Sequence, residues 1–434
     1  MAKSEFKHRR KEFMRRVGTG NIALIASAPV CQRNNDVDYP YRQDSDFYYL
    51  TGFEEPDALA VFIPGRRPVE YILFCRESDE TMALWTGRHA GIEGAKEVYG
   101  ADDAFPIDDV DEVVPGLMEN KGRVFYPMGR NSELDHQLIE WIKQLRERVR
   151  SGISAPMEFV AMGNLLHEMR LIKSAAELKV MQKAANVSAK AHIRAMQAAR
   201  AGLFEHQIEA ELLHEFTRNG MRSPSYPSIV AGGRNACVLH YTRNDDKLQD
   251  GDLLLIDAGA ENQNYASDIT RTFPVCGRFS EAQRLLYQLV LDAQLAAIGK
   301  VRPGNRWNDP HDAAIKVLTR GLVDLGLLKG RVSDLIKNEG YKKFYMHRTG
   351  HWLGMDVHDV GNYKVDGKWR ILEPGMVLTV EPGLYVSADC VDVEKKWCGI
   401  GIRIEDDVVV THSGSEVLSS KAPKAIHEIE ALMA

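Results

Sequence analysis

The sequence predicts an α/β chain of two domains, a mixed-sheet domain over residues 1–172 followed by an α+β domain with antiparallel sheet over residues 173–434. Three observations carry this reading. The 434 residues are about three times the ~150 of a typical single domain. From Ile22 to about Tyr126 short apolar runs alternate with polar and Pro/Gly turns, which is a strand pattern. Beyond residue 173 the pattern becomes long helical stretches with caps, interleaved with strand-like runs.

In chain order, basic residues from Lys3 to Arg16 precede the apolar run Ile22 to Ala26, and Ala26-Ser27-Ala28 has the small residues of a cleavage site. The run is shorter than a secretory core, and Glu5 and Glu12 interrupt the basic segment, so it is read as a buried first strand. Ala58 to Ile63 and Tyr71 to Cys75 read as further strands. From Asn131 to Arg150 the period changes, with Leu134, Leu138, Trp141, Ile142, Leu145 and Val149 on one helical face. A second helix is expected near Gly163 to Met169, and the domain boundary near residue 172.

Ser174-Ala175-Ala176-Glu177 has capping-box spacing and opens a helix ending around Gly202; another runs from Phe204 to about Arg218, stopped by Gly220. Ser280 and Gln283 cap a helix to about Ile298, and Pro310 suits the first turn of a helix to about Leu325. Leu253 to Ala258, Tyr265 to Phe273, Met376 to Glu381 and Gly399 to Val410 read as strands.

Composition narrows the function. Hydrophobic residues at 44% and charged residues at 27% are those of a folded chain. With 55 Lys plus Arg against 61 Asp plus Glu there is no basic excess to neutralise phosphates, so nucleic acid is not an expected partner. No apolar run is long enough to cross a bilayer, so no membrane partner is expected. The six cysteines are scattered without Cys-x-x-Cys, which suits free thiols in a reducing, cytoplasmic compartment.

The chemistry lies in polar residues at the ends of apolar runs. Asp257 ends Leu253-Leu254-Leu255-Ile256-Asp257, and Asp268 follows in Ala266-Ser267-Asp268-Ile269-Thr270. A turn at Glu261 to Asn264 makes these a hairpin that sets the two carboxylates side by side at one level. Such neighbours repel in an apolar setting unless a cation or proton intervenes. Glu381 ends Met376 to Val380, and Glu405 ends Ile400 to Ile404. His347-x-x-x-His351-x-x-Gly354 lies on a Gly-rich stretch unlike the helical zinc motif. An oxygen-rich set with one imidazole suits two hard or borderline divalent ions such as Mn²⁺.

The order Asp257, Asp268, His351, Glu381, Glu405 resembles the ligand signature of the pita-bread metallopeptidases, the group that contains methionine aminopeptidase, prolidase and aminopeptidase P. Tyr226-Pro227-Ser228-Ile229-Val230, His351-Trp352-Leu353-Gly354, Asp356-Val357-His358-Asp359-Val360-Gly361, Val380-Glu381-Pro382-Gly383 and Gly401-Ile402-Arg403-Ile404-Glu405 are similar to aminopeptidase P. So are Tyr39 to Phe47 and Leu50-Thr51-Gly52-Phe53 in the first domain, so nearly the whole chain is covered.

The resemblance implies a pita-bread catalytic domain holding two divalent ions, with Mn²⁺ expected, and an Xaa-Pro aminopeptidase activity in which a metal-bridging hydroxide attacks the carbonyl before proline. Asp257 would chelate one ion, Asp268 and Glu405 bridge both, and His351 with Glu381 complete the other. Glu381 is the expected proton shuttle. His240 and His358 match positions that assist proton movement and stabilise the tetrahedral intermediate, and His347 one that contacts the proline side. Arg403 would orient a carboxylate or form an ordinary strand ion pair. Tyr385 would touch the site or only pack. Trp85 matches a position that reaches a neighbouring subunit's site, or is a core tryptophan in a strand. A homo-oligomer, dimer or tetramer, follows from the same resemblance. One departure is Arg348, where the family commonly has Gly; a bulky cation there bears on which residue is accepted after proline.

Two other functions are compatible with parts of the pattern. A prolidase has the same metals and chemistry but takes only Xaa-Pro dipeptides, and the phrases Tyr41-Arg42-Gln43 and His351-Trp352-Leu353-Gly354 stand nearer to aminopeptidase P. A non-catalytic binding protein on the same fold would be expected to lose ligands, because clustered carboxylates without a cation are costly to keep.

Overall fold

Ile22–Ala26, the expected first strand, lies at the middle of a six-stranded sheet in the computed structural model, which describes residues 1–434. The chain divides into two compact units, Met1–Arg170 and Leu171–Ala434. In the first, Ile22–Ala26 runs antiparallel to Leu59–Phe62 and parallel to Arg123–Tyr126. Tyr71–Cys75 and Asp103–Pro106 extend one edge and Glu158–Ala161 the other, so the sheet is mixed. Every residue of Leu59–Phe62 and Tyr71–Cys75 is buried, because helices cover both faces of a central strand and leave no solvent side.

The helix Ser132–Glu147 buries Leu134, Leu138, Trp141, Ile142 and Leu145, as its periodicity requires. Val149 does not join them. The helix gives way to a 3-10 turn at Val149–Ser151, whose tighter winding rotates Val149 off the apolar face and leaves it 58% exposed. Trp85 is not a core strand residue either: it lies on the short helix Glu80–Thr86, which buries nothing, and is 82% exposed.

The second unit begins at Leu171, which packs into its core, and Lys173, whose ammonium pairs with Asp359 at 2.9 Å in a fully buried setting. Capping boxes close on the helices Ala175–Ala198 and Glu281–Ile298, with Ser174 and Ser280 accepting from the third-residue amides. Glu205–Arg218 and Asp309–Asp324 complete the main helical layer. Against it lie antiparallel strands only. Leu253–Asp257 is flanked by Ile229–Gly232 and Thr270–Pro274; Asp406–Val410 is flanked by Val377–Val380 and Ser415–Val417; Gly383–Val386 pairs with Ile400–Arg403.

Two expected strands are each broken in the middle. Tyr265–Ala266 turns back on Glu261–Asn262 through Gln263 and Asn264, both with positive φ, and the ladder resumes only at Thr270. Asp257 therefore faces Thr270 in the register, not Asp268. Gly399 to Val410 splits at Ile404 and Glu405, and its two halves join different sheets. In both cases the break falls at a carboxylate, which frees that side chain from the alternation of the pleat.

His192, on the Ala175–Ala198 helix, is wholly buried and bonds the carbonyl of Ala258 at 3.0 Å. Burial first of all holds its imidazole down to about 4, below the ordinary ~6.5. The neutral folded form is thus fully favoured above pH 6.5, and stability is lost as pH falls toward 4 because only the unfolded chain takes the proton. Urea unfolding at pH 7.5 and pH 5 should show the parent losing about 2 kcal/mol more than His192→Gln over that interval; equal losses would mean that His192 is not the titrating group.

Candidate metal centre

The four carboxylates predicted from sequence converge, each from a break or an end of a strand. Asp257 closes Leu253–Asp257; Asp268 sits in the gap before Thr270–Pro274; Glu381 lies between Val377–Val380 and Gly383–Val386; Glu405 lies between Ile400–Arg403 and Asp406–Val410. Backbone bonds lock the gaps together: Glu405 N–H donates to Thr270 O at 3.0 Å, and Asp268 N–H donates to Asp407 Oδ1 at 3.1 Å. Close backbone approach demands glycine at Gly259, where a Cβ would stand 1.7 Å from the carbonyl oxygen of Ser267, and at Gly350, where it would stand 2.0 Å from that of Thr379.

His351 is held at both ends. Its amide donates to Thr379 Oγ1 at 3.0 Å, and its Nδ1 lies 3.0 Å from the carbonyl of Trp352, an atom that can only accept. The Nδ1 proton is therefore committed, and Nε2 faces Asp268 Oδ2 at 3.4 Å and Glu381 Oε1 at 3.7 Å, where it can hold a proton or bind a cation. One ligand atom from each of Asp268, His351 and Glu405 falls within 4.8 Å of the other two. Arg403 is the buried cation of the cluster: Nη2 meets Asp257 Oδ2 at 2.6 Å, Nη1 donates to Tyr385 Oη at 3.0 Å, and Nε to Thr270 Oγ1 at 3.2 Å. Thr270 in turn donates to Glu405 Oε2 at 2.6 Å.

Four carboxylates against one guanidinium leave excess negative charge in a setting of low polarisability. Burial, reinforced by the neighbouring carboxylates, drives Glu405 well above the usual carboxylate range and Glu381 up to about 7. Burial likewise raises Asp257, against the pull of Arg403. Burial opposes a charged His351, yet Asp268 and Glu381 raise it to about 9, so a proton on Nε2 does there what a metal cation would do. Asp268 is lowered because His351 and Tyr226 outweigh its burial. The donor set thus fits divalent cations with a demand for positive charge that protein groups alone do not meet.

His347 and Tyr385 form a directed chain. His347 Nδ1–H donates to the carbonyl of Arg348 at 2.7 Å, so its Nε2 accepts from Tyr385 O–H at 2.9 Å, and Tyr385 accepts from Arg403. Burial, with Arg403 nearby, holds His347 down to about 4, so it is neutral. His358 packs edge-on against His351, ring centroids 4.4 Å apart, and is lowered by burial and by that neighbour. His240 is exposed, and with His347, His358 and the carboxylates it lines an open cavity of about 1150 Å³. Trp85 is not part of this cluster.

Sequence reasoning left out the groups that place these side chains. Tyr226 Oη lies 2.6 Å from Asp257 Oδ1 and 2.5 Å from Asp268 Oδ1; it belongs to a quoted family phrase, but its setting among Ser225, Pro227 and Ser228 reads as a turn and gave it no role at the carboxylates. Buried Glu205 accepts from Gly232 N–H, Asn235 Nδ2, Tyr241 Oη and Asp246 N–H, and so holds the loop that bears His240. Its helical context reads as an ordinary solvated glutamate.

An antiparallel fold with a carboxylate-rich centre of this kind defines a metal-dependent hydrolase, and similarity to known proteins specifies the class. Residues 179–412 match the model of metallopeptidase family M24, and residues 6–126 match the aminopeptidase P N-terminal domain. The Xaa-Pro aminopeptidase of Haemophilus influenzae is 46% identical over 433 residues, covering 100% of this chain and 98% of that protein. The structure of Pseudomonas aeruginosa aminopeptidase PepP superposes with a TM-score of 0.99 at 57% identity, covering 100% of this chain and 98% of that one. Zinc-substituted Escherichia coli aminopeptidase P in complex with product does so at 0.97 and 44%, with coverages of 100% and 98%. The chain belongs to metallopeptidase family M24 and is a metallo-exopeptidase.

Removing Arg403 leaves Asp257 without its ion-pair partner in a buried site, a change that costs about 3–5 kcal/mol in comparable settings. Arg403→Gln should lower the melting temperature of the metal-free protein by several degrees, with part of the loss recovered on adding Mn²⁺. Unchanged melting of the metal-free variant would remove Arg403 from the charge balance of the cluster.

Proposed function

We propose that this chain is an Xaa-Pro aminopeptidase, releasing the amino-terminal residue from peptides whose second residue is proline. The observation that carries the reading is His351 Nε2 turned onto a carboxylate cluster in the wall of an open, peptide-sized cavity. Asp257, Asp268, His351, Glu381 and Glu405 would hold two divalent cations. Mn²⁺ is the metal that we propose, because oxygen donors with a single imidazole suit it. When bound, such ions supply Lewis acidity that activates a water at neutral pH and polarises the scissile carbonyl.

Glu381, which lines the cavity beside the cluster, takes the proton of the attacking water and returns it to the departing proline nitrogen. His240 and His358, on the cavity wall, assist proton movement and donate to the developing oxyanion. His347 contacts the proline side: its neutral ring, bonded to Tyr385, offers a flat surface with no free charge. Proline has no amide N–H to satisfy, so a subsite built on shape suits it. Arg403 fixes Asp257 and Tyr385 in place.

We further propose a homo-oligomer, a tetramer, in which Trp85 reaches a neighbouring subunit's site. The exposure of Leu84 at 86% and Trp85 at 82% on one short helix supports an intersubunit role. No helix is long and apolar enough to cross a membrane. The six free cysteines support a reducing compartment, and the cytoplasm is the location that we propose.

The test is product analysis by mass spectrometry after incubating metal-free and Mn²⁺-restored protein with Ala-Pro-Ala, Ala-Pro and Ala-Ala-Ala. Free Ala and Pro-Ala should appear from the first peptide, only with metal, with little turnover of Ala-Ala-Ala. Cleavage confined to Ala-Pro would make the enzyme a prolidase, and no cleavage under any divalent metal would leave a binding role. His358→Ala should retain bound metal while lowering kcat by about 10²-fold or more; an unaltered kcat would remove it from the reaction.

A further inference from the structure

Two cations on the wall of the cavity have no counter-ion. The guanidinium of Arg348 stands 5.1 Å from the centre of the Trp369 ring, and the ammonium of Lys364 stands 4.4 Å from it. All three residues line the same cavity as the metal centre. The arrangement is built rather than incidental. Lys364 and Trp369 are register partners in the two-stranded hairpin Lys364–Val365 and Lys368–Trp369, whose turn residues Asp366 and Gly367 both have positive φ. The carbonyl of Trp369 is anchored by Arg306 Nη1 at 3.1 Å. Arg348 is held by a neutral acceptor, Asn308 Oδ1, and Asn308 is itself set by Asp312 Oδ1 at 2.6 Å. Three other cations in this stretch of the chain, Arg331, Lys342 and Lys343, do pair with carboxylates, namely Asp334, Glu339 and Asp392.

We propose that Arg348, Lys364 and Trp369 form a subsite that recognises a carboxylate on the residue following proline. The proposal deepens, and rests on, the Xaa-Pro aminopeptidase reading. Arg348 directly follows His347, the residue assigned to the proline side, and its own carbonyl accepts the His347 Nδ1 proton. The next residue of a bound peptide therefore passes the Arg348 side chain. A guanidinium already fixed by one neutral bond keeps N–H groups free for a bidentate carboxylate, and the indole lowers the freedom of both cations before binding. The carboxylate has two sources, the chain terminus of a tripeptide or an acidic side chain after proline.

The test is steady-state kinetics of the Mn²⁺-restored full chain on two matched pairs, Ala-Pro-Ala against Ala-Pro-Ala-NH₂ and Ala-Pro-Glu-NH₂ against Ala-Pro-Gln-NH₂. In at least one pair the parent should show kcat/KM about tenfold higher for the carboxylate, carried mainly by KM and reduced by added salt. The responding pair identifies the source. In Arg348→Gln and Lys364→Gln the ratio within that pair should fall toward one, and Arg348→Lys should retain part of it; a ratio cancels any general loss of activity. Ratios near one in the parent, with alanine released normally, would overturn the subsite alone, as would a preference that survives the double variant. No alanine from any of the four peptides would remove the peptidase reading and the subsite with it.

Discussion

The crowding of Asp257, Asp268, Glu381 and Glu405 around a single buried guanidinium is the constraint on which the rest of the second unit depends. Like charges at this spacing in a protein interior are tolerable only with compensation. Arg403 supplies one positive charge, His351 can take a proton, and Glu381 and Glu405 are driven toward the neutral form. Each of these is a partial answer that divalent cations supply in full. The same imbalance that destabilises the cluster by itself therefore gives it affinity for divalent cations.

Holding such a cluster requires a rigid support, and the layer behind it is saturated with hydrogen bonds. Arg271, fully buried, donates to the carbonyls of Thr270, Glu405, Ala422 and Pro423 and to Asp406 Oδ1 at 2.7 Å. Asp406 also accepts from Lys424, Gln294 and Ser419. Burial would raise this carboxyl, but Arg271 and Lys424 outweigh it and keep it ionised. Because every member has its partners, the network is stiff, and it grips the residue next to Glu405 and the carbonyl of Glu405 itself. Functional carboxylates left short of positive charge thus sit directly on one that has ample compensation.

The ends of the apolar runs made the converging carboxylates legible. Asp257, Glu381 and Glu405 each follow several apolar residues, a position where a carboxylate has little reason to stand unless it is used. The capping boxes at Ser174 and Ser280 and the buried face of Ser132–Glu147 were equally readable, since caps and helical period are local. Val149 and Trp85 show where local reading stops. One rotates away when the helix tightens, and the other lies on a helix too short to declare a face.

By itself the sequence determined the candidate residues at the ends of its apolar runs, the two-part organisation of the chain and the signature of its family, because charge, helical period and capping act over a few residues. Tertiary structure decided how those residues meet. It broke the expected strands at Asp268 and Glu405, set Asp257 opposite Thr270, and sent the halves of Gly399 to Val410 into separate sheets. It chose Tyr226 and Glu205 as partners, and left Arg348 and Lys364 without carboxylates. Register, pairing and burial arise between segments far apart in the chain, and no local pattern encodes the charge that a side chain will meet when they pack.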